Sequence, residues 1–329
     1  MIRRTVFPKK NENALHRLDP LIKKQLRAKT FYGGFYDDYD PAAESIDIIS
    51  ARAGATYGTD ISRGIHTSAL NIPCKAHLIP ARRYECENPS GHIVLFLHGG
   101  GFTVGSVAHK DAQCRYLAET SRAVIISIDY RLAPENPYPA AVDDAIAALK
   151  YCASIPHDRL IIGGDSAGAT LAANAIMQSG ISVDYAFYLY GAFDLAPADR
   201  MYDPWSYSLY ECDESEKDLI YSRLNRFRRL AVDIQKLYLS DMVSPDDELV
   251  SPTYTKKFTV FPSSLFIIAE FDFYRFNNEA FARRLDFAGV DAEILYYEGL
   301  DHGFFDRLGT VPQARECIEE IGYRIRRLS

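Results

Sequence analysis

Cysteine is scarce in this sequence and forms no recognisable framework. Six cysteines are scattered through 329 residues, and none of them belongs to a C-x-x-C pair. In a chain of this length, such cysteines predict reduced, mostly buried thiols rather than a disulfide scaffold. An H-E-x-x-H motif is also absent, and we expect neither a metal nor another cofactor. These features favour a cytoplasmic protein.

Long apolar runs are missing as well. No stretch approaches the roughly 18 apolar residues that cross a membrane, so we expect no membrane span. Residues 1–20 are basic but contain no apolar core of the kind found in secretory signals. The net charge is −7, and the basic clusters at 225–230 and 323–328 are short enough to be solvated helix faces. A nucleic-acid partner is therefore not expected.

The sequence does contain six apolar runs of strand length. They are rich in Ile, Val, Leu and Tyr with little alternation, which is typical of strands covered on both faces of a parallel sheet. Helical patterns lie between most of them, so the alternation predicts an α/β fold with a mostly parallel, doubly wound sheet. The runs cover residues 92–98, 123–130, 159–164, 185–191, 264–272 and 292–299.

Two regions interrupt this alternation. Residues 195–250 have a long, mostly helical pattern between two of the runs, and they are too long for a simple loop. We expect residues 195–250 to form an inserted helical cap, and residues 1–45 to form its N-terminal part. Segments 46–194 and 251–329 would then form the core. The tyrosines and Trp205 of the insertion are equally suited to line a pocket or to pack inside the cap.

The stretch "LIIGGDSAG" at 160–168 places a serine between a predicted strand and a predicted helix. This G-x-S-x-G pattern at such a junction is typical of a nucleophile elbow, in which a tight turn exposes the serine at the sheet edge. The alternative is a glycine-rich turn with an inert hydroxyl. The position after a strand and before a helix favours Ser166 as a nucleophile.

A second glycine-rich motif, "HGGGF", covers residues 98–102 at the end of the first run. The backbone N–H groups of Gly100 and Gly101, together with that of Ala167, are candidates for an oxyanion hole. A phosphate-binding loop is excluded by spacing, because Val104 and Ser106 stand where the nucleotide motifs require glycine and lysine. We expect His98, Gly99 and Asp165 to support this arrangement.

The general base and the acid follow from chain order. In an α/β-hydrolase the nucleophile precedes the acid, and the histidine comes last. Of eight histidines only His302 follows Ser166, so His302 is the predicted base. The acid should lie at the end of "SLFIIAEFD", where Asp272 and Glu270 would face the same side of a strand. Asp272 is favoured because it lies past the last apolar residue of this run, at the edge of the following loop, and Glu270 is the alternative.

These motifs resemble the hormone-sensitive-lipase-like branch of the α/β-hydrolases, which includes bacterial carboxylesterases. The resemblance covers most of the chain from about residue 90 and implies the triad Ser166, Asp272 and His302, the oxyanion donors named above and a cap. It also implies a supporting turn formed by Tyr130, Arg131, Pro134 and Glu135. One departure is the segment after Asp272, which reads "FYRFN" where the family usually has Pro-Leu-x-Asp-Glu.

Together, the motifs and the resemblance predict a serine carboxylesterase that hydrolyses short-to-medium acyl esters through an acyl-enzyme. We expect its partner to be a small-molecule ester, and the chain is a candidate for a homodimer. One alternative is a non-catalytic small-molecule receptor on the same fold, which the presence of His302 disfavours. Another is an amidase or peptidase, which the elbow alone does not exclude.

Overall fold

A nine-stranded sheet forms the centre of the molecule in the computed structural model, which describes residues 2–9, 15–28, 47–53 and 58–328. The strand order is β1-β9-β8-β7-β6-β4-β5-β3-β2. The strands are β1 (Arg3–Phe7), β2 (Ile65–Cys74), β3 (His77–Cys86), β4 (His92–Leu97), β5 (Val124–Ile128), β6 (Arg159–Asp165), β7 (Tyr185–Leu189), β8 (Ser263–Phe271) and β9 (Ala292–Asp301).

Eight α-helices accompany the sheet in the described residues. They are α1 (Pro20–Ala28), α2 (Ile48–Ala53), α3 (Asp111–Ser121), α4 (Ala140–Ser154), α5 (Ala167–Ser179), α6 (Lys217–Leu239), α7 (Arg275–Phe287) and α8 (Pro312–Arg326). None of these helices is both long enough and apolar enough to cross a membrane.

The sheet is mostly parallel and doubly wound, as the sequence predicts. Among the nine described strands, only β3 points in the opposite direction to the others, antiparallel to both β2 and β5. Strand β5 lies on one side of β4 in the sheet and β6 lies on the other, so the chain reverses its direction across the sheet after β5. Right-handed crossovers therefore put α3 and α4 on opposite faces. Helix α3 packs on α8 and α4 packs on α5, so both faces of the central strands are covered.

All six predicted runs form strands of this sheet, β4 to β9. The central strands β4, β5 and β7 are buried along their whole length, in agreement with their continuous apolar sequence. The hairpin of β2 and β3 was not predicted. Most residues of β2 are exposed at the edge of the sheet, and its sequence therefore has no apolar run.

The N-terminal segment differs from the expected assignment of residues 1–45 to a cap. Arg3–Phe7 instead forms β1, a parallel edge strand of the core sheet beside β9. The ring of Phe7 stacks on Tyr297 with centroids 4.6 Å apart, and the Arg4 guanidinium lies 4.2 Å from the centroid of the Tyr296 ring. Residues 10–14 and 29–46, which the same prediction includes, lie outside the described residues.

The insertion between β7 and β8 contains the 23-residue helix α6. The chain before this helix contacts the N-terminal segment. The N–H of Asp213 donates to His16 O at 2.9 Å, Arg17 pairs with Asp213 at 2.9 Å, and the N–H of Leu18 donates to Glu216 Oε2 at 2.8 Å. Residues 15–18 and the insertion are therefore held together. The division of the chain into core and cap stays a prediction.

Candidate active site

Ser166 lies at the turn between β6 and α5. Its φ is 53° and its ψ is −119°, a backbone conformation that residues other than glycine rarely adopt. Its N–H donates to Leu189 O at 2.8 Å. A Cβ on Gly168 would lie 2.0 Å from Leu97 O. Only glycine therefore allows α5 to approach β4 so closely. The predicted elbow is present, with the serine at the carboxyl end of a central strand.

The structure brings together the three residues predicted as nucleophile, base and acid. His302 Nε2 lies 2.9 Å from Ser166 Oγ, and His302 Nδ1 lies 2.8 Å from Asp272 Oδ2. The other carboxylate oxygen of Asp272 accepts a hydrogen bond from the N–H of Tyr274 at 2.8 Å. Asp272 is 1% exposed and His302 is 7% exposed, so the chain of hydrogen bonds is shielded from water. Its geometry is that of a Ser–His–Asp triad.

Glu270, the alternative acid, has a different partner. Its side chain lies 3.1 Å from His16 Nδ1 and accepts a hydrogen bond from the N–H of Gly299 at 2.7 Å. Burial raises the pKa of the Glu270 carboxyl. Asp272, not Glu270, is the carboxylate against His302.

The predicted oxyanion donors are in the loop after β4 and at the start of α5. Gly100 has a φ of +123°, and a Cβ there would lie 2.3 Å from Val104 O, so the loop requires glycine at this position. The carbonyl of Gly100 accepts from the N–H groups of Thr103 and Val104. No described residue accepts a hydrogen bond from the N–H of Gly100, Gly101 or Ala167. These three N–H groups therefore keep their hydrogen-bonding capacity for a ligand.

Asp165 contacts the predicted oxyanion loop. It accepts a hydrogen bond from the N–H of Gly99 at 2.8 Å and a second from Lys110 Nζ at 2.9 Å. The Lys110 ammonium, 1% exposed, also contacts Asp306. Burial raises the pKa of Asp306 to about 6, and the nearby Asp165 carboxylate adds to the rise while Lys110 opposes it. Lys110 and Asp306 cannot be recognised in the sequence, because isolated charges give no periodic signal.

His98 also lies beneath the loop. Its ring stacks on Tyr130 with centroids 4.1 Å apart, and its Nδ1–H donates to Gly99 O at 2.8 Å. The Tyr130 hydroxyl donates to His98 O at 2.7 Å. Burial lowers the pKa of His98 to about 4, so its imidazole is neutral at pH 7. The contacts of His98 are those of a supporting residue.

Glu135, in the predicted supporting turn, pairs with Arg52 of α2. Two parallel hydrogen bonds of 2.8 Å join the guanidinium to the carboxylate, and Arg52 also donates to the carbonyls of Thr103 and Ala133. The hydrogen bonds from Arg52 lower the pKa of Glu135 to about 2. This bidentate pair therefore joins α2 to the turn at Ala133–Glu135 and to the end of the oxyanion loop.

Helix α6 lies over both halves of the site. The Phe227 ring is 4.6 Å from the His302 ring, measured between centroids. A Cβ added to Gly101 would lie 2.4 Å from Ile234 Cδ1, which places Ile234 directly against the oxyanion loop. Further along the helix, Tyr238 stacks on Phe102 at 3.9 Å. These contacts are not visible in the sequence, because an amphipathic pattern does not reveal what a helix covers.

The segment before α6 contacts the loop of the acid. The Trp205 indole N–H donates to the Tyr210 hydroxyl at 2.9 Å, and that hydroxyl donates to Asp272 O at 2.7 Å. The Trp205 ring also lies 5.2 Å from that of Phe273. Although the "FYRFN" segment departs from the family pattern, Asp272 is held by Tyr274 and Tyr210.

One group of residues of the types that bind metals comes together within the described part of the chain, and no motif in the sequence predicts it. Donor atoms of Cys74, His77 and Asp144 lie within 4.8 Å of one another. Both carboxylate oxygens of Asp144 already accept hydrogen bonds from Arg131, at 2.8 and 3.0 Å, and His77 Nε2 lies 2.9 Å from one of them. These contacts account for the group as a link between the β2–β3 hairpin and α4.

The order of the site residues along the chain defines the class of protein. A serine on a strand-to-helix elbow, then an acid, then a histidine, all following parallel strands, is the arrangement of the α/β-hydrolases. Here the three residues follow β6, β8 and β9. The fold and the site together define an α/β-hydrolase with the geometry of a serine hydrolase.

Comparison with known proteins gives the family. Residues 94–306 match a family described as "alpha/beta hydrolase fold", and the chain belongs to that family. Carboxylic ester hydrolase LipN of Mycobacterium tuberculosis is 32% identical over 316 residues, which cover 88% of this chain and 77% of LipN. Ethyl acetate hydrolase of Pseudomonas putida is 28% identical over 250 residues, covering 71% of this chain and 74% of that protein.

A solved structure supports the same assignment. An esterase from Pyrobaculum calidifontis superposes with a TM-score of 0.75 at 28% sequence identity, covering 94% of this chain and 98% of that one. The relatives with esterase names agree with the hormone-sensitive-lipase-like resemblance of the motifs.

Proposed function

We propose that this protein is a serine carboxylesterase that hydrolyses short-to-medium acyl esters through an acyl-enzyme on Ser166. The observation that carries the proposal is the continuous chain of hydrogen bonds from Ser166 through His302 to Asp272. The esterase names of relatives that cover most of the chain support the same reaction class.

In the first half of the reaction, His302 Nε2 takes the Ser166 proton as Oγ attacks the ester carbonyl. The carbonyl oxygen becomes an oxyanion, which the N–H groups of Gly100, Gly101 and Ala167 stabilise. One such donor contributes about 3–4 kcal/mol to lowering the barrier. The imidazolium then protonates the leaving alcohol, and the acyl group remains on Ser166.

In the second half, His302 activates a water molecule that attacks the acyl-enzyme and releases the acid. Asp272 accepts the Nδ1–H of His302 throughout, which leaves Nε2 free to act as the base and stabilises the imidazolium. The free acid, the alcohol and the original enzyme are the products. Every proton transfer in this cycle uses this chain's own residues and water.

Substrate size is proposed from the cap. Residues 195–250, together with part of the N-terminal segment, would cover the site, with Phe227 against His302 and Ile234 against Gly101. These apolar side chains beside the base and the oxyanion loop suit acetyl to medium-length acyl groups. The name of the ethyl acetate hydrolase relative is consistent with this size.

Replacement of the nucleophile tests the mechanism. In Ser166→Ala we expect hydrolysis of p-nitrophenyl butyrate to fall by about 10⁴-fold or more, because no acyl-enzyme can form. A fluorophosphonate probe should label the wild type at Ser166 and leave the variant unlabelled, with unchanged circular dichroism as the control for folding. Retained turnover in Ser166→Ala would overturn the mechanism, and an unlabelled wild type would favour a non-catalytic receptor.

The substrate range is tested separately with p-nitrophenyl esters from acetate to laurate. We expect kcat/KM to be highest for short and medium chains and to fall for laurate. Rates on matched p-nitroanilides distinguish esterase from amidase action, and faster cleavage of the anilides would contradict the ester assignment.

A cytoplasmic location is also part of the proposal. All six cysteines are free thiols, which is consistent with a reducing compartment. Homodimerisation stays a prediction, which sedimentation equilibrium checks.

A further inference from the structure

The residue next to His302 takes part in a buried ionic cluster. Asp301 is fully buried at the end of β9, and both of its oxygens are occupied by arginines. Arg307 contacts Oδ1 and donates to Oδ2 at 3.1 Å, and Arg223 Nε donates to Oδ2 at 2.9 Å. Burial alone would raise the pKa of Asp301, but Arg307 and Arg223 lower it. The carboxylate is therefore charged at neutral pH.

The two arginines come from different parts of the molecule. Arg307 is six residues beyond Asp301 and belongs to the same loop as His302. Arg223 belongs to α6, in the insertion. Arg307 can thus neutralise Asp301 within the loop, whereas the bond from Arg223 joins the loop to α6.

Arg223 also contacts His302 directly, through the backbone, and indirectly, through the ring of Phe227. Its Nη2 lies 3.5 Å from His302 O, and its guanidinium lies 4.6 Å from the centroid of the Phe227 ring. That ring in turn lies 4.6 Å from the imidazole of His302. The Arg223 side chain is 9% exposed, so these contacts are made away from water, where electrostatic interactions are strong.

We propose that Arg223 is a positioning residue, which sets the imidazole of His302 against Ser166 by joining α6 to the His302 loop through Asp301. The inference rests on the proposed function of Ser166 and His302. Its consequence is that the rate of the chemical steps depends on a side chain of the insertion that touches neither reacting atom. Removal of the guanidinium leaves Asp301 paired with Arg307 inside the loop but breaks the hydrogen bonds from Arg223 that hold the loop against α6.

Arg223→Met tests this inference, since methionine keeps an unbranched stem and removes the charge. We expect kcat for p-nitrophenyl butyrate to fall about 10- to 100-fold, because displacements of about 1 Å in a reacting group cost that much. KM should change little, because acylation and deacylation both use His302. The rate at which a fluorophosphonate labels Ser166 should fall in parallel. In Arg223→Lys, which keeps the charge but loses the planar fork, both rates should be intermediate.

Arg229→Met is the matched control, because Arg229 is exposed on the same helix. It should keep wild-type kcat and labelling. All rates are measured well below the thermal unfolding midpoint of each variant, so a merely structural role of Arg223 would lower that midpoint and leave kcat unchanged.

Three outcomes would overturn the inference: wild-type kcat and labelling in Arg223→Met, a raised KM at unchanged kcat, or an equal loss in Arg229→Met. If Arg223→Met does not fold, Arg223→Lys decides, and wild-type kcat in that variant counts against the inference. Failure of the proposed function is distinguishable from these outcomes, because the wild type itself would then resist labelling and the positioning role would fall with it.

Discussion

At the scale of single residues, His98 illustrates how a buried base makes stability depend on pH. Its pKa is lowered to about 4 in the folded protein, against about 6.5 for an exposed histidine. Between these values the unfolded chain binds a proton that the folded chain does not. The free energy of unfolding therefore falls as the pH drops from about 6.5 towards 4, by up to roughly 3 kcal/mol from this residue.

His98→Asn should remove this contribution to the pH dependence. Asparagine can still donate to Gly99 O but does not titrate. The free energy of unfolding of the variant should therefore decline less steeply below pH 6.5. Urea unfolding at pH 7.5, 6.5, 5.5 and 4.5 measures the slope. His66→Asn, at an exposed histidine, is the control and should keep the wild-type slope. Equal slopes for His98→Asn and wild type would contradict the expectation.

The two carboxylates of β8 and its following loop give a second test at this scale. Asp272→Asn should lower kcat by about 10³- to 10⁴-fold with little change in KM, because an amide favours the wrong imidazole tautomer of His302. Glu270→Gln should retain most of the activity, since Glu270 contacts His16 and Gly299 instead. Steady-state kinetics with p-nitrophenyl butyrate compares the two. A larger loss in Glu270→Gln would identify Glu270 as the acid.

At the scale of elements, the unpredicted strand β1 is joined to the sheet partly by one aromatic contact. Phe7→Ala removes the ring stacked on Tyr297 and should lower the free energy of unfolding by about 1–2 kcal/mol. The neighbouring Val6 is largely exposed, so Val6→Ala should cost much less. Chemical denaturation measures both, and kcat should stay at the wild-type value in each. Equal stabilities of the two variants would show that the stacking contributes little.

Buried strands and tight turns could be predicted from the sequence, and exposed edge elements could not. Strands β4 to β9 have continuous apolar sequences because both of their faces are covered, and that pattern is visible without coordinates. The edge strands β1 and β2 carry mostly exposed side chains, so their sequences resemble those of loops. A strand of this kind is defined by backbone pairing with its neighbour rather than by its own composition.

The residues of the candidate site were likewise only partly predictable from the sequence. Chain order and glycine motifs predicted Ser166, His302 and the oxyanion loop. They favoured Asp272 as the acid and kept Glu270 as the alternative, because both face one side of a strand. Hydrogen-bond geometry distinguishes them. The contacts of Lys110 and Arg223 join segments far apart in sequence, and no local pattern records such pairs.

At the scale of the whole molecule, buried charges join the loops around the triad. Lys110 binds Asp165 beside the nucleophile and Asp306 beyond His302, and Arg223 binds Asp301 just before His302. Ions buried in this way contribute little net stability, because removing them from water is costly. Their contacts instead join the elbow to the His302 loop and that loop to α6.

The direction of β1 has a practical consequence. Because β1 runs parallel to β9, Arg3 lies at the end of the sheet opposite to His302, and the chain beyond Phe7 comes close to Gly299 through Lys9. A fusion partner or surface linker attached ahead of Arg3 would therefore extend from the side of the protein remote from the nucleophile. Immobilisation through that point would leave the opposite side open to solvent and to incoming esters.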